Sequence, residues 1–411
     1  MDAPLNMLSQ PAFGRLLRRL RAERGLSQAD LVGPGVSASY VSRLESGGRA
    51  ATATAAAHLA RRLEVDVDVF TASDDTDRAV ALLATGMAAL ADGDADTAVR
   101  ELTEAARVAV EDEPEPGWQI LWHLATAHAR LGDHEAQREV LRRLRPLLTG
   151  RGMDVPESHV LAALAECDRI LGDVDSAVLL AREALALAGD EGAGRTEALL
   201  VLTAAEVEAG RFTDAAEHAG LALARTAGGG GPQRTRALWT AATVHARRGA
   251  EEESLALLEE AVAGADARAD LLAWAGLRLA QVTQHLRVHG TLDPQAAVRF
   301  EEARSALRMI GLPQHLTQAQ ALQARIAFHD GDFTTAAQLA RAVVDEPGAL
   351  GFHDRVRTEI LLHQAEAADG SFDTAVSELR RIADEVTRSG NLDLAAEAWK
   401  ALAECAVVRG S

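Results

Sequence analysis

The sequence predicts an all-α protein in two parts: a small N-terminal helical domain and a longer array of helix pairs. Alanine and leucine are abundant in the 411-residue chain, and with arginine and glutamate they have the strongest helix propensities. Long Val/Ile/Thr-rich alternations, which are typical of strands, are absent. Beyond residue 77, glycines recur about every 40 residues after helical runs, and such a period indicates a repeat array.

Composition and charge narrow the classes of protein to which this chain can belong. A net charge of −19 argues against a general nucleic-acid binder. The charge is unevenly distributed, however. Residues 1–70 carry nine arginines and seven acidic residues, a balance of +2, and residues 71–411 carry the remaining −21. No apolar run reaches the ~18 residues of a membrane span, and the N-terminus lacks the pattern of a signal peptide. We therefore expect a cytoplasmic protein, in which Cys167 and Cys405 are reduced core thiols.

The N-terminal domain begins with the amphipathic helix FGRLLRRLRAERG. Its apolar side carries Phe13, Leu16, Leu17 and Leu20, and its polar side carries Arg15, Arg18, Arg19 and Arg21. Ser27 then caps a second helix, with Asp30 at the favourable third position, and Pro34 in VGPG must end it. Ser37 caps a third helix, whose inner face is Tyr40 or Val41 with Leu44, and AAAHLARRLEVDVDVF supplies a further helix.

The stretch GLSQADLVGPGVSASYVSRLESGGR resembles the lambda-repressor/Cro-like (XRE-type) helix-turn-helix family. The resemblance rests on Gln28 at the start of the second helix, on Gly-Val-Ser at the turn and on the Ser-Arg-Leu-Glu-x-Gly run. The turn is one residue shorter than the usual family spacing and contains Pro34, and the proline common after the Glu-x-Gly run is missing at 50–52. The resemblance implies a five-helix lambda-repressor-like DNA-binding domain over residues 12–70, preceded by an N-terminal tail at 1–11.

The same resemblance implies which residues meet DNA. Base contacts fall to the third helix, where base edges in the major groove differ in donor and acceptor pattern; the candidates there are Ser37, Ala38, Ser39, Tyr40, Ser42 and Arg43. Gln28 is expected to meet the DNA backbone, and Arg15, Arg19 and Arg49 to neutralise phosphates, which positions a domain without specifying sequence. Glu45 is interpreted as structural.

After a polar linker at 71–77, TASDDTD, the turn-like glycines begin. They are Gly93, Gly132, Gly172, Gly210, Gly249, Gly290, Gly331, Gly370 and Gly410. Small residues recur five positions after the glycine (Ala98, Ala177, Ala215, Ala336, Ala375) and seven before it (Gly86, Ala125, Ala165, Ala242, Ala324, Ala403). Two helices cross closely only where side chains are small, so these positions have a packing reason.

The fragments EAGRFTDAAEHAGLALA, HDGDFTTAAQLARAVV and ADGSFDTAVSELRRIA resemble the tetratricopeptide repeat. The resemblance covers about residues 78–411 as a solenoid of eight helix pairs plus a terminal capping helix, LAAEAWKALAECAVVR. The period is nearer 40 than the 34 of the family, and the sixth unit, around VHGTLDPQAAVRF, has a longer turn.

A repeat stack of this type has a concave surface built from its first helices. Family positions for that surface select Gln119, Trp122, His159, Glu166, Arg169, Arg236, Trp239, Gln284, Arg287, Gln318, Arg325, Arg357 and Gln364. Arginine and glutamine suit a peptide backbone or a carboxylate, and the two tryptophans supply apolar anchors. The alternative is that these are solvated groove residues without a ligand.

No pattern favours catalysis or a cofactor. His285 and His289 share a helix face, but no glutamate or cysteine completes a metal-site pattern, and AGGGGPQ lacks the lysine of a phosphate-binding loop. We therefore expect no enzyme activity, no metal and no cofactor.

The resemblances together imply a transcription regulator that binds a specific DNA operator. Members with this layout are commonly controlled by short signalling peptides bound in the groove, and a homodimer is expected because one recognition helix covers only a few base pairs. The alternative is an interaction scaffold, in which the repeats hold a protein partner and the small domain is vestigial or binds protein.

Overall fold

The computed structural model describes residues 7, 8, 10, 12–70, 74–109, 114–190, 194–229, 231–346 and 350–410. Within these ranges the chain forms 20 α-helices and three 3₁₀-helices and no named β-strand, and Gly33 and Val36 form an isolated β-bridge. The predicted all-α class is therefore confirmed. The chain divides into two compact units, Met1–Ile120 and Leu121–Ser411, with the boundary inside a helix.

Five helical segments surround the core of the N-terminal domain, as predicted. They are α1 (Ala12–Glu23), a 3₁₀-helix (Gln28–Leu31), α2 (Ala38–Glu45), α3 (Ala53–Leu63) and a second 3₁₀-helix (Val67–Phe70). The second segment is thus a single 3₁₀ turn. Phe13 and Phe70 are fully buried, and their ring centroids lie 4.8 Å apart, which joins the first segment to the last. Leu16, predicted on the buried side of α1, is only partly buried.

Helices α1 and α2 approach each other closely at Gly14. A Cβ atom at this position would overlap the carbonyl oxygen of Leu44. Gln10 reinforces the contact: its Oε1 accepts from the Gly14 N–H, and its Nε2 donates to the carbonyls of Leu44 (3.2 Å) and Arg49 (2.7 Å). Gln10 falls in the predicted tail, of which residues 1–6, 9 and 11 lie outside the described residues.

The rest of the chain forms eight helix pairs and a final helix, as predicted. The pairs are α4 (Asp74–Ala91) with α5 (Ala95–Val108), α6 (Pro114–Leu131) with α7 (His134–Leu144), α8 (Asp154–Ile170) with α9 (Val174–Ala188), α10 (Arg195–Glu208) with α11 (Phe212–Thr226), α12 (Pro232–Arg247) with α13 (Glu251–Ala263), α14 (Leu271–His289) with α15 (Pro294–Ile310), α16 (Pro313–His329) with α17 (Phe333–Val344), and α18 (Phe352–Ala368) with α19 (Phe372–Arg388). The final helix is α20 (Leu392–Gly410), and a 3₁₀-helix, Arg145–Leu147, follows α7. Helix α4 begins inside the predicted linker, of which residues 71–73 lie outside the described ranges.

The repeating glycines are the turns within the pairs. Those from Gly93 to Gly370 all adopt positive φ angles, between 70° and 106°, which favour glycine because it has no Cβ. Gly410 departs from the prediction, since it is the last residue of α20. The sixth turn, Gly290 to Asp293, is longer than its counterparts, as expected from its sequence.

The small residues near these turns lie where the helices pack closely against each other. Ala98, Ala177, Ala215, Ala336 and Ala375 are fully buried, and so are Ala165, Ala242 and Ala324. A Cβ at Gly86 would lie 2.5 Å from the Leu102 side chain, so the first pair also needs its small residue. Ala403, predicted to belong to this set, is instead exposed on α20.

In the unit Leu121–Ser411, turns of early pairs contact the starts of first helices five pairs later. Gln314 at the start of α16 donates to the Arg130 carbonyl (3.3 Å), beside the turn of the second pair. Asn391 donates to the Gly172 carbonyl (3.1 Å), and Gly172 itself faces the ring of Phe352 at the start of α18. Gly210 faces Leu392 at the start of α20. The first helices therefore wind into a tight superhelix whose successive turns touch.

None of the helices in the described ranges has the length and apolar character that crossing a bilayer requires.

We predict that Gly14→Ala loosens the N-terminal domain by about 1–3 kcal/mol, because the added methyl group forces α1 away from the Leu44 carbonyl. Hydrogen exchange of the amides in residues 12–70, measured by mass spectrometry in the full chain, will detect the change. Gly48→Ala is the matched control, since its Cβ meets nothing closer than 3.6 Å. Equal exchange in the two variants would contradict the close approach of α1 and α2.

We predict that Gly172→Ala costs about 1–3 kcal/mol more than Gly331→Ala. Both glycines have positive φ angles, +89° and +81°, so backbone strain is similar at the two sites. Only at Gly172 does the Cβ meet another group, the Phe352 ring at 2.6 Å. Urea denaturation followed by tryptophan fluorescence will measure the difference.

The substitution Phe352→Ala provides the control for this contact. In that background the two glycine substitutions should cost the same, because the ring that Gly172 faces is gone. A difference that persists without the ring would show that the cost does not arise from the contact between superhelical turns.

Candidate DNA interface and ligand channel

The turn before α2 is tight and is fixed on the domain core. Gly33 and Val36 exchange backbone hydrogen bonds of 3.0 and 2.9 Å around Pro34 and Gly35, and the φ of +78° at Gly35 is typical of a type II turn. From α3, His58 lies 3.2 Å from the Leu31 carbonyl. The shortened, proline-containing turn therefore forms a defined connection that sets the start of α2.

Helix α2 has one buried side and one open side. Val41 and Leu44 are buried in the core, as predicted. The predicted base-contacting residues Ser37, Ala38, Ser39, Ser42 and Arg43 are exposed. Ser37 caps the helix by accepting from the Tyr40 N–H at 3.2 Å. The predicted reading face is thus an exposed helix surface on a fixed base.

Tyr40 lies at the edge of this face. It is partly buried, and the Arg49 guanidinium lies over its ring at 5.2 Å, a cation–π geometry. Arg43 is exposed, and its Nε donates to the Ser39 carbonyl one turn earlier (3.2 Å), so most of its donors remain available. Arg15 and Arg19 are exposed on α1, with Arg19 3.7 Å from Glu23. The candidate DNA-contacting arginines are therefore reachable by solvent.

Glu45 is a structural residue, as the sequence indicated. Its carboxylate accepts from Arg21 Nε at 2.6 Å, from Arg21 Nη2 at 3.0 Å and from Gln28 Nε2 at 2.8 Å. Burial raises the pKa of Glu45, but the hydrogen bonds from Arg21 and Gln28 outweigh it and hold the pKa below its usual value.

This cluster corrects one sequence expectation, the grouping of Arg21 with the exposed arginines of α1. Arg21 does not belong with the exposed arginines of α1, because it is bound to Glu45 and to the Leu26 carbonyl (2.8 Å). Gln28, expected to contact the DNA backbone, donates its amide nitrogen to Glu45, and its contact with DNA stays a prediction. Sequence spacing alone gave no sign that the two side chains converge on one carboxylate.

In the unit Leu121–Ser411, side chains from seven first helices meet inside the superhelix. They include Arg169 on α8, Glu208 on α10, Arg247 on α12, Arg287 on α14, Arg325 on α16, Arg357 on α18 and Glu397 on α20. We call this space the channel. Four of these residues, Arg169, Arg287, Arg325 and Arg357, were selected from sequence as concave positions, and their contact with a ligand stays a prediction.

One end of the channel holds an ion-pair network. Arg169 binds Glu166 at 2.8 Å and Glu208 at 2.5 Å, and Arg236 binds Glu197. Burial raises the pKa of Glu208 to about 7 despite the nearby Arg169 and Arg357. Burial also lowers the pKa of His353 to about 3, so its ring is neutral beside Glu208. The predicted ligand residues Glu166, Arg169 and Arg236 are thus already paired within the protein.

The other end of the channel holds two carboxylates of α20 that sequence analysis missed. Arg357 binds Asp393 at 2.7 Å and Glu397 at 3.2 Å, and Arg247 also pairs with both acids. The only sequence signal was the pair of acids four residues apart, Asp393 and Glu397, on a helix otherwise interpreted as a cap.

The remaining predicted channel residues differ in their surroundings. Trp239 packs on Gly276 and the core, with its ring 3.0 Å from the position of a Cβ there. His159 bonds to the Val155 carbonyl, Gln318 to His315, and Gln364 to Glu404. Trp122 and Gln119 are partly buried, and Gln119 belongs to the other unit.

The remaining candidate chemical groups are the two cysteines and the histidine pair on α14. Cys167 and Cys405 are buried free thiols, and burial raises the pKa of Cys167 to about 12. The rings of His285 and His289 contact each other at an interplanar angle of 47°, with centroids 4.4 Å apart. Across the described residues no group of three or more His, Cys, Asp or Glu side chains is placed to hold a metal ion.

We predict that Glu45→Gln destabilises the N-terminal domain by about 1–3 kcal/mol at pH 7, because the nearly buried Arg21 loses its charged partner. The pKa of Glu45 is lower in the folded state than in the unfolded state. The ionised carboxylate therefore adds to the free energy of unfolding above the unfolded pKa, near ~4.3, and this contribution is lost as the pH falls through the folded pKa. Hydrogen exchange of residues 12–70 at several pH values will test this. A deficit of equal size at pH 7 and at pH 3 would exclude the ionic contribution.

Comparison with known proteins agrees with this architecture. Residues 12–72 match the profile of a helix-turn-helix domain family. The solved structure of the apo form of RapI aligns with a TM-score of 0.53 and 12% identity, over 65% of this chain and 96% of that one. A Rap protein complexed with competence and sporulation factor aligns with a TM-score of 0.52 and 13% identity, over 80% and 98% of the two chains.

At such identities the likeness shows the fold alone. No curated protein sequence matches the chain significantly. The chain therefore combines an N-terminal helix-turn-helix domain with a helical repeat array that shares its fold with the Rap structures.

Proposed function

We propose that the protein is a sequence-specific DNA-binding transcription regulator of the XRE type. The observation that carries the proposal is the exposed face of α2, with Ser39, Ser42 and Arg43 open to solvent while Val41 and Leu44 anchor the helix. An exposed helix of this kind enters a major groove, where an arginine binds guanine through two hydrogen bonds. The exposed Arg15, Arg19 and Arg49 provide charge for phosphates on the same domain.

We assign the repeat array the role of sensing an effector, such as a short signalling peptide, or of joining two copies, or both. The channel lining supports an effector, because it presents arginine and glutamine donors inside the repeats. A homodimer follows from the need for paired half-sites, since one α2 helix covers only a few base pairs. We place the protein in the cytoplasm and assign it no enzymatic role.

We predict that Arg43→Ala reduces operator affinity about 5- to 150-fold, which corresponds to the ~1–3 kcal/mol of one bidentate base contact. Fluorescence anisotropy of the full chain with duplex from upstream of its own gene, at two salt concentrations and against random competitor duplex, will measure the change. Binding of the wild type should weaken as salt rises, because phosphate contacts release counterions.

Arg61→Ala is the matched control for this measurement. Arg61 is also exposed, and it donates to the carbonyl four residues earlier at 3.2 Å, as Arg43 does, but it lies on α3. Affinity should be kept in Arg61→Ala. Absence of competitor-resistant binding, both here and across a pool of genomic fragments, would refute the regulator and favour the interaction scaffold.

A further inference from the structure

Four arginines converge at the α20 end of the channel. We call Arg247, Arg287, Arg325 and Arg357 the arginine cluster; they come from α12, α14, α16 and α18. Arg247 and Arg357 are neutralised by Asp393 and Glu397. The cluster therefore already holds carboxylate groups, both supplied by the chain's own last helix.

The other two arginines have no such partner. Within the part of the chain that the structure describes, neither Arg287 nor Arg325 has a carboxylate within 4.0 Å or a hydrogen bond from its guanidinium. Burial and then the neighbouring positive charges of Arg247 or Arg357 lower their pKa values. Carboxylates such as Glu251 and Glu397 act on them only at longer range. Two guanidiniums thus face the channel with unused donors.

A third donor nearby is also unused. Gln284 lies one helical turn before Arg287 on α14, and its side chain is 5% exposed. Its amide nitrogen has no hydrogen-bond acceptor. A buried donor without an acceptor costs stability, so such groups call for a partner. The three side chains together offer donors and, apart from the amide oxygen, no acceptor.

The two guanidiniums are accessible, whereas the Gln284 amide is buried behind them on α14. Arg287 is exposed and Arg325 is partly exposed, although protein atoms surround both inside the channel. A ligand that enters the channel therefore reaches both guanidiniums without displacing an internal ion pair. This distinguishes the site from the Arg169 end, where Glu166 and Glu208 already occupy the guanidinium.

We propose that Arg287, Arg325 and Gln284 form a binding site for a carboxylate group of a short peptide effector. The proposal rests on the proposed function, since it assumes that the repeat channel senses a ligand, and it adds the chemical group that the channel recognises. The planar guanidinium matches a carboxylate through two parallel hydrogen bonds. The pairs of Asp393 and Glu397 with Arg247 and Arg357 show the same chemistry a few side chains away.

The test uses two pools of random heptapeptides that differ only at the C-terminus, one with a free carboxylate and one amidated, each made with and without Asp and Glu. The full-length protein is incubated with each pool, separated by gel filtration, and the retained peptides are measured by mass spectrometry. Wild-type protein should retain peptides that carry a carboxylate about tenfold more than the amidated pool lacking Asp and Glu. The amidated pool that contains Asp and Glu shows whether a side-chain carboxylate is sufficient.

The variant Arg287→Gln/Arg325→Gln should lose this preference. Arg304→Gln/Arg381→Gln is the matched control, because both of its arginines lie on second helices and pair with glutamates on their own helix. The control should keep the wild-type preference. Equal retention of all pools by the wild type, or an unchanged preference in the first variant, would overturn the proposal. Loss of retention in the presence of inorganic phosphate at millimolar concentration would also overturn it, since it would indicate a general anion site.

A melting curve of the free protein separates binding from folding. Arg287→Gln/Arg325→Gln should not lower the Tm, because neither arginine has a partner in the fold. A lowered Tm would assign the two side chains a structural role and refute the site. Operator binding is measured on the same samples. If the protein binds DNA but shows no preference for carboxylates, only this inference is refuted. If it prefers carboxylates but does not bind DNA, this inference is supported and the proposed regulator is refuted.

Discussion

The architecture of the unit Leu121–Ser411 depends on one recurring contact: the turn of one pair against the start of a first helix five pairs later. The turns have to be narrow there, and glycine at Gly172 and Gly210 leaves room for Phe352 and Leu392. Because this contact repeats, the pitch of the superhelix is short. The first helices of distant pairs consequently face one another across a channel, and their side chains interact although they are far apart in sequence.

Sequence predicted the repeats well because their cause is local. A glycine that ends one helix and a small residue that allows the next to cross it must recur in every pair, so the period and the eight pairs were visible. The pitch is not local, since it is the sum of small rotations between successive pairs. Spacing therefore selected Arg287, Arg325 and Arg357 as channel residues but gave no sign that Glu397 lies against Arg247, 150 residues earlier.

The helix-turn-helix domain shows the same difference between locally determined features, which the sequence predicts, and contacts between distant residues, which it does not. The faces of α2 followed from periodicity, and the caps at Ser27 and Ser37 followed from residue type, so these were predicted correctly. Arg21 and Gln28 were interpreted by position on their own helices alone. Both converge on Glu45, whose side chain is only 5% exposed. A buried carboxylate needs charged and polar partners, and a sequence without coordinates does not tell which residues supply them.

The charges in the channel suggest how ligand binding and superhelix shape are connected. Asp393 and Glu397 of α20 pair with Arg247 and Arg357, so the same kind of attraction that would hold a ligand carboxylate already acts between helices of the channel. A ligand changes an equilibrium only to the extent that it binds one state better than another. A carboxylate that needs both Arg287 and Arg325 binds well only when α14 and α16 hold their present positions. Its binding energy would then favour this shape of the channel over any arrangement that separates the two helices.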